Sequence, residues 1–341
     1  MMTDSNPDGL TISVVMPAYN AAHYLPRVLT PLIGMLEAGE VAEVLVVDDQ
    51  STDNTAALAE EMGARVLVTP RNGGPGMARN LAAEHAVGDI LWLVDSDVIA
   101  WPGGAALITE AFRDPSVDAV FGSYDDTPDG QQWLSKYKNL THRYHHQVAH
   151  KEASTFWAGC GALRKSRFLE IGGFDVDTYK VPSIEDIELG YRIKSAGGRI
   201  LILPDLLGKH LKVWSLRNVI HTDIFRRAMP WARLMIAREG VGNDLNTSWT
   251  ERFRAGIAGL FLLSIAAMLV DFDNWVYVFA LAVGAILINW HFFAYLRRCG
   301  GLLFALSSLM FHQLYYVYST VVFVWCLFEY HVLGRRKLSV P

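Results

Sequence analysis

Two aspartates one residue apart, Asp95-Ser96-Asp97, follow directly on an apolar run at residues 90–94. In extended chain, residues i and i+2 project to the same side, so both carboxylates can face one ion. A few hard oxygen ligands suit Mg2+ or Mn2+ shared with substrate phosphates, because an acidic rim repels a diphosphate unless a cation bridges them. For a bare pair, a solvated turn is the plain alternative. A second acidic pair, Asp48-Asp49, also ends a β-branched run, at residues 41–47, and that turns the reading toward a shared site. After it, Ser51, Thr52 or Asp53 can cap a helix, leaving Asp48 and Asp49 to accept hydrogen bonds from a base or ribose. The glycine-rich stretch from Arg71 to Asn80 enters a helix and can cradle phosphate through backbone N–H groups. It lacks the GxGxxG spacing and is not the first strand–helix turn, which argues against a dinucleotide fingerprint.

The elements that must position these residues are legible. Residues 11–16, 41–47, 64–69 and 90–94 read as buried strands, and 21–36, 55–62 and 75–86 as helices, Pro75 suiting a first helical turn. Such alternation predicts an α/β fold, a mostly parallel sheet with helices on both faces. Ligands of such sheets bind beyond the carboxyl ends of the strands, so Tyr19 with Asn20, Asp48 with Asp49, and Asp95 with Asp97 should share one rim.

Six stretches in this order resemble the family 2 inverting glycosyltransferases, whose fold is GT-A. They are Val14 to Asn20, Val46 to Asp53, Asn72 to Asn80 with its Ala78-Arg79-Asn80 ending, Asp95 to Asp97, Gly159 to Arg164 with Gly172 to Asp175, and Glu185 to Arg192. The resemblance covers residues 12–214. It implies that Pro17, Tyr19, Asp48, Asp49 and Arg79 contact the donor nucleotide, and that Asp95 and Asp97 hold its diphosphate and the Mg2+ or Mn2+. It places the catalytic base in the pair Glu185-Asp186, assigned to Asp186, and adjacent carboxylates there can raise each other's pKa. The plain reading of the pair is an acidic first helical turn, with Ser183 as cap and Asp186 at the capping-box position. Arg192 reads as a brace for that helix. By the same likeness Gly159 and Gly161 give the acceptor access to backbone, and His210 is a third metal ligand or a diphosphate contact. Lys209, Lys212 and Trp214 fall on the acceptor or phosphate side. Processive synthases of the family carry Gln/Arg-x-x-Arg-Trp after the base; Arg226-Arg227-Ala228-Met229-Pro230-Trp231 has the wrong spacing, which counts against polymerisation. His142, His145, His146 and His150 share a helical face, where a role beside the acceptor is favoured over zinc.

The chain has 341 residues and a net charge of −5, giving no electrostatic footprint for nucleic acid. Three scattered cysteines, Cys160, Cys299 and Cys326, argue against a disulfide framework. The opening at residues 1–9 shows no secretory signal, so the catalytic domain is expected in the cytoplasm of a bacterial cell, at the plasma membrane. Charge is split: residues 253–341 hold six basic and three acidic side chains. Segments 253–270, 276–296 and 302–330 read as membrane-spanning, the last interrupted by His312-Gln313, where a re-entrant break is one option. The expected organisation is a GT-A domain at 1–205, amphipathic interfacial helices at 206–252, a transmembrane region at 253–334 and a basic tail at 335–341. The expected activity is metal-dependent inverting transfer from a UDP- or GDP-linked sugar to a lipid or polyprenyl-phosphate-linked acceptor. A processive polysaccharide synthase and a non-catalytic membrane subunit are the rivals, and the sequence leaves the oligomeric state open.

Overall fold

A computed structural model describes residues 9–238 and 248–335; the opening residues 1–8 and the tail with Arg336 and Lys337 lie outside the described residues. The first seven elements alternate as the sequence predicts: β1 (Ile12–Ala18), α1 (Leu25–Glu37), β2 (Glu43–Asp48), α2 (Thr55–Glu61), β3 (Arg65–Val68), α3 (Gly74–His85) and β4 (Ile90–Val94). There follow β5 (Val98–Ala100), α4 (Gly104–Phe112), β6 (Val117–Tyr124), α5 (Trp133–Val148), β7 (Glu152–Ala153), β8 (Cys160–Arg164), α6 (Lys165–Glu170), α7 (Glu185–Ser195) and β9 (Arg199–His210). One sheet runs in the order β3-β2-β1-β4-β8-β6-β9-β5, with β7 also on β9. Its first four strands are parallel. Beyond β4 it is mixed, because β8 enters antiparallel between β4 and β6.

Side-chain parity builds two cores. Val14 and Met16 face α1 and α4, together with Leu29, Trp92 and Ile108. Val15, between them, faces α3 and α7, with Ala82, Leu93, Phe168 and Leu189. Strands covered on both sides must be apolar throughout, which is why these runs do not alternate.

Several expectations about the rear half need correction. The sheet does not stop at residue 205: β9 continues to His210 and pairs there with β5, so residues 206–210 are strand and not interfacial helix. The helical part starts later, as one rod made of α8 (Leu216–His221), a π-helical turn (Thr222–Ala228) and α9 (Met229–Ala237). Pro230 has no N–H to give the Arg226 carbonyl four residues back, so that carbonyl is free to accept the Ser183 hydroxyl at 2.9 Å.

α10 (Trp249–Val270) and α12 (Trp290–His331) are long and apolar enough to cross a membrane, by length and composition. Between them a 3-10 turn (Phe272–Asn274) leads to α11 (Trp275–Ile288). The expected span 276–296 is not one helix. It ends at Ile288, and residues 290–300 turn back to pack Phe292, Phe293 and Leu296 on Tyr137, Leu140 and Tyr144 of α5. Nor does the chain break at His312-Gln313, where it stays helical; the break inside α12 is at Gly301, whose φ of 83° suits only glycine. His312 instead shares a hydrogen bond with the Tyr137 hydroxyl at 2.8 Å.

α7 packs on the Thr155-Phe156 segment only because residue 190 has no side chain. A Cβ there would stand 2.3 Å from the Phe156 backbone nitrogen, a neighbour that cannot swing away. Gly190→Ala should therefore lower stability by about 1–3 kcal/mol or more and shift α7 with the acids at its start. Thermal unfolding checks this, and a variant melting with the parent would show that the contact is dispensable.

Candidate active site

The carboxyl ends of β1, β2 and β4 bring the acidic pairs to one rim, as expected. Two non-glycine residues there carry positive φ, Asn20 at 50° and Gln50 at 64°. Backbone held this way marks a site whose surroundings over-determine it. Asn20 Oδ1 accepts the Thr52 N–H at 2.8 Å, and the Asn20 N–H donates to Ser51 Oγ at 2.9 Å, so the loops after β1 and β2 are sewn together. Tyr19 stands open beside them at 52% exposure, while Pro17 is buried within β1.

The two rim acids of β2 differ. Asp48 is buried and accepts the Ser51 N–H with both oxygens at 3.2–3.3 Å. Asp49 is engaged by the protein itself. Its carboxylate accepts Thr69 Oγ1 at 2.8 Å and the N–H groups of Gly73 and Gly74 at 3.0 and 2.7 Å, so it shapes the glycine-rich entry to α3. Helix α2 is capped by neither Ser51 nor Thr52; Asp53 accepts the Thr55 N–H at 3.0 Å.

Asp95, Asp97, Glu185 and Asp186 converge on one cleft, where Arg79 contacts both Asp95 and Glu185 and the charges of Asp97 and Asp186 act on Asp95. Two consecutive residues clip its sides: the Ala158 N–H donates to Asp186 Oδ2 at 3.1 Å, and the Gly159 carbonyl accepts the Asp95 N–H at 3.3 Å. Arg79, from α3, is 4% exposed and donates to Asp95 Oδ1 at 2.5 Å, with Glu185 Oε1 4.0 Å away. Asn80, next in sequence, clamps Phe174 through both backbone groups, so the Gly172-Gly173 turn and α3 move as a unit. Arg192 braces α7, bonding Glu188 and the carbonyls of Ile171 and Gly173. The expected Ser183 cap is absent: α7 begins at Glu185 with Ile184 as an uncapped flank, since the Ser183 hydroxyl goes to Arg226. Glu185 Oε2 instead accepts the Ser183 N–H at 2.7 Å.

His210 ends β9 beside Asp97. Its Nδ1–H donates to Asn139 Oδ1 at 2.7 Å, and its ring stacks on Tyr124 at 4.5 Å. Its Nε2 stands 3.5 Å from Asp97 Oδ2. That gap is near the ~3 Å between neighbouring ligands of an octahedral ion with bonds of about 2.1 Å. Among the described residues no ready set of three or more His, Cys, Asp or Glu ligands occurs. Asp97 and His210 are a pair that could share a divalent ion whose other positions go to phosphate and water. Asn139 and Tyr124, which fix His210, are the functional residues that the linear sequence does not reveal, since both lie far from it along the chain.

Other expected residues are placed elsewhere. Gly161 lies inside β8, where a Cβ would meet the Trp157 carbonyl at 2.4 Å; Gly159 is filled by the Trp157 ring. Both are packing glycines and offer the acceptor no backbone. Lys209 is spent on Asp125, at 2.9 Å, and on Thr127. Trp214 is buried and supports Lys212, whose ammonium lies 4.4 Å from its ring centre. The histidines of α5 divide between two sides: His142 and His146 join Trp157 under the site, and His145 meets Phe292 and His312. Burial pushes His146 down to about 4 and His142 well below its usual range, so both are neutral. His150 lies beyond the end of the helix.

Charge in the cleft is uneven. Burial raises Asp186, against the Ala158 N–H and Arg79. Burial and the neighbouring Asp186 push Glu185 up to about 7. Burial also raises Asp95, with Asp97 and Asp186 adding and Arg79 opposing. Burial would raise Asp97 too, but His210 and Lys212 outweigh it and hold it below the usual range.

Residues 13–172 match the sequence profile described as Glycosyl transferase family 2. Over 230 residues, 65% of this chain, the sequence is 28% identical to the pre-mycofactocin glycosyltransferase of Mycobacterium tuberculosis; the match spans about half (47%) of that protein's length. Among solved structures, the mannosyltransferase PcManGT of Pyrobaculum calidifontis, in complex with GDP-Man and Mn2+, superposes with a TM-score of 0.56 at 18% identity. That match covers 95% of this chain and 89% of that one. TarS residues 1–349 of Staphylococcus aureus superpose with a TM-score of 0.51 at 19% identity, covering 94% and 93% of the two chains. At these identities the superpositions establish the fold.

Because Glu185 holds its proton more tightly folded than unfolded, its contribution to stability is complete below its ordinary value of 4.5 and is lost as pH rises through about 7. Glu185→Gln removes that loss. The melting temperature of the variant relative to the parent should climb from about pH 5 to about pH 8, and a constant difference would contradict the assigned burial penalty.

Proposed function

Residues 13–172 are a glycosyl transferase family 2 domain on a GT-A frame, and from that premise we propose a metal-dependent inverting glycosyltransferase acting on a lipid or polyprenyl-phosphate-linked acceptor at a membrane surface. The donor is a UDP- or GDP-linked sugar. The observation that carries this reading is the convergence of Asp95, Asp97 and Asp186 on one cleft, clipped together by Ala158 and Gly159.

In this reading Tyr19 and Asp48 receive the nucleoside at the open rim. Asp49 acts at one remove, by holding the Gly73-Gly74 turn. Asp97 and His210 hold Mg2+ or Mn2+, with Asp95 joining from the Arg79 side. That ion, when bound, neutralises the departing diphosphate, so no second protein acid is needed. Asp186 takes the proton of the attacking acceptor hydroxyl, and its raised pKa makes it a better base than an ordinary aspartate. Glu185, buried against Arg79, fixes the start of α7 and does not reach the acceptor.

The membrane assignment draws on α10 and α12. α11, with 14 residues, reaches only about 21 Å. The short helix at residues 290–300 faces the domain with Phe292, Phe293 and Leu296 and exposes Arg297 and Arg298, as a helix at the headgroup level would. With the catalytic domain on the cytoplasmic side, these arginines fall on the positive-inside face.

A panel of nucleotide sugars given to the detergent-solubilised chain with Mg2+ or Mn2+ tests the reading. One uridine or guanosine donor should be hydrolysed, and chelation should abolish turnover. Asp186→Asn should keep donor binding while transfer falls about a hundred-fold or more. Turnover indifferent to chelator would remove the roles of Asp95 and Asp97, and an unaffected Asp186→Asn would remove the base.

A further inference from the structure

The π-helical turn at residues 222–228 is held from three sides. Asp223 is buried and pairs with Lys138 of α5 and with the Tyr318 hydroxyl of α12, the latter at 2.8 Å. The Arg226 carbonyl is taken by Ser183, three residues before Asp186. π-turns widen a helix locally and recur at functional sites. This one leaves Arg227 exposed, and among the described residues its guanidinium has no ion pair or hydrogen bond. Its positive charge acts on Asp186, on Tyr124 and on Lys138. The buried ionic anchor fixes the turn that carries this arginine, and its forked donors match a phosphoryl group.

Lys212, which rests on the Trp214 ring, is a second cation without an ion pair among the described residues, and it stands on a different stretch of chain. Lys212 lies two residues beyond His210, the partner of Asp97, while Arg227 follows the Arg226 carbonyl that Ser183, three residues before Asp186, holds at 2.9 Å. We infer that Arg227 receives a phosphoryl group belonging to the acceptor headgroup, next to the atom that attacks the sugar. This rests on the glycosyltransferase reading and narrows its acceptor class to phosphorylated lipids. The donor diphosphate is left to the metal and Lys212.

The test uses the full chain in nanodiscs and measures binding, so it does not depend on turnover. The probes are geranylgeranyl monophosphate, geranylgeraniol, and UDP and GDP with Mn2+. The parent should bind the monophosphate about ten-fold or more tighter than the alcohol. Arg227→Ala should erase that preference, Arg227→Lys should keep part of it, and nucleotide affinity should stay within about two-fold in both. Equal binding of the two lipids by the parent, or a preference that survives in Arg227→Ala, overturns the inference. So does a variant that loses nucleotide affinity while keeping the lipid preference, which would move Arg227 to the donor. A parent that binds neither nucleotide would instead overturn the glycosyltransferase reading itself.

Discussion

Four carboxylates in one cleft repel one another, and the site exists because the fold places a cation against each flank. Arg79 is the central one, almost wholly buried and set between Asp95 and Glu185. A buried charge of this kind is stabilising only while its partners remain, and removing one partner costs more than the pair contributes. Its helix is fixed by polar contacts at its start, where Asp49 receives the N–H groups of Gly73 and Gly74, and at its middle, where Asn80 grips the Phe174 backbone. Residues that a family likeness assigns to ligand binding are here partly devoted to holding one arginine in place.

The same economy explains which parts of the chain were legible. β1 to β4 and their helices follow from β-branched runs, two of them closed by Asp48 and Asp95, because strands buried on both faces leave little freedom in composition; Pro17, read as the end of the first run, lies inside β1. The clustering of Asp95, Asp97 and Asp186 was readable from the order of motifs. What was not readable depends on contacts distant in sequence. Lys209 looks available until β9 sets it beside Asp125. Ser183 is a sound cap by type, but Pro230 offers it a freed carbonyl, and only the folded chain shows the competition. Gly161 and Gly159 suggest open backbone, whereas the Trp157 ring and carbonyl occupy that space. The continuous apolar text of residues 276–296 conceals a helix end, because composition does not record where Asn289 turns the chain.

α5 joins the two halves of the molecule. One of its faces supplies Asn139 to His210 and Ser135 to the Trp214 N–H, while the other supplies Tyr137 to His312. Lys138, between them, enters the ion pair with Asp223. Each face of this amphipathic helix is therefore buried against a different body, and its polar residues are bridges and not a solvated surface.

The shared wall sets a limit on dissection. Cutting the chain after the sheet would strip Tyr137, Leu140 and Tyr144 of the residues that cover them, and would leave Asp223 or Lys138 without its counterpart. The exposed strip would be sticky, and the helix carrying Asn139 would lose its outer support. A fragment that ends with the sheet therefore needs that outer face redesigned, with polar residues substituted for the aromatic ones.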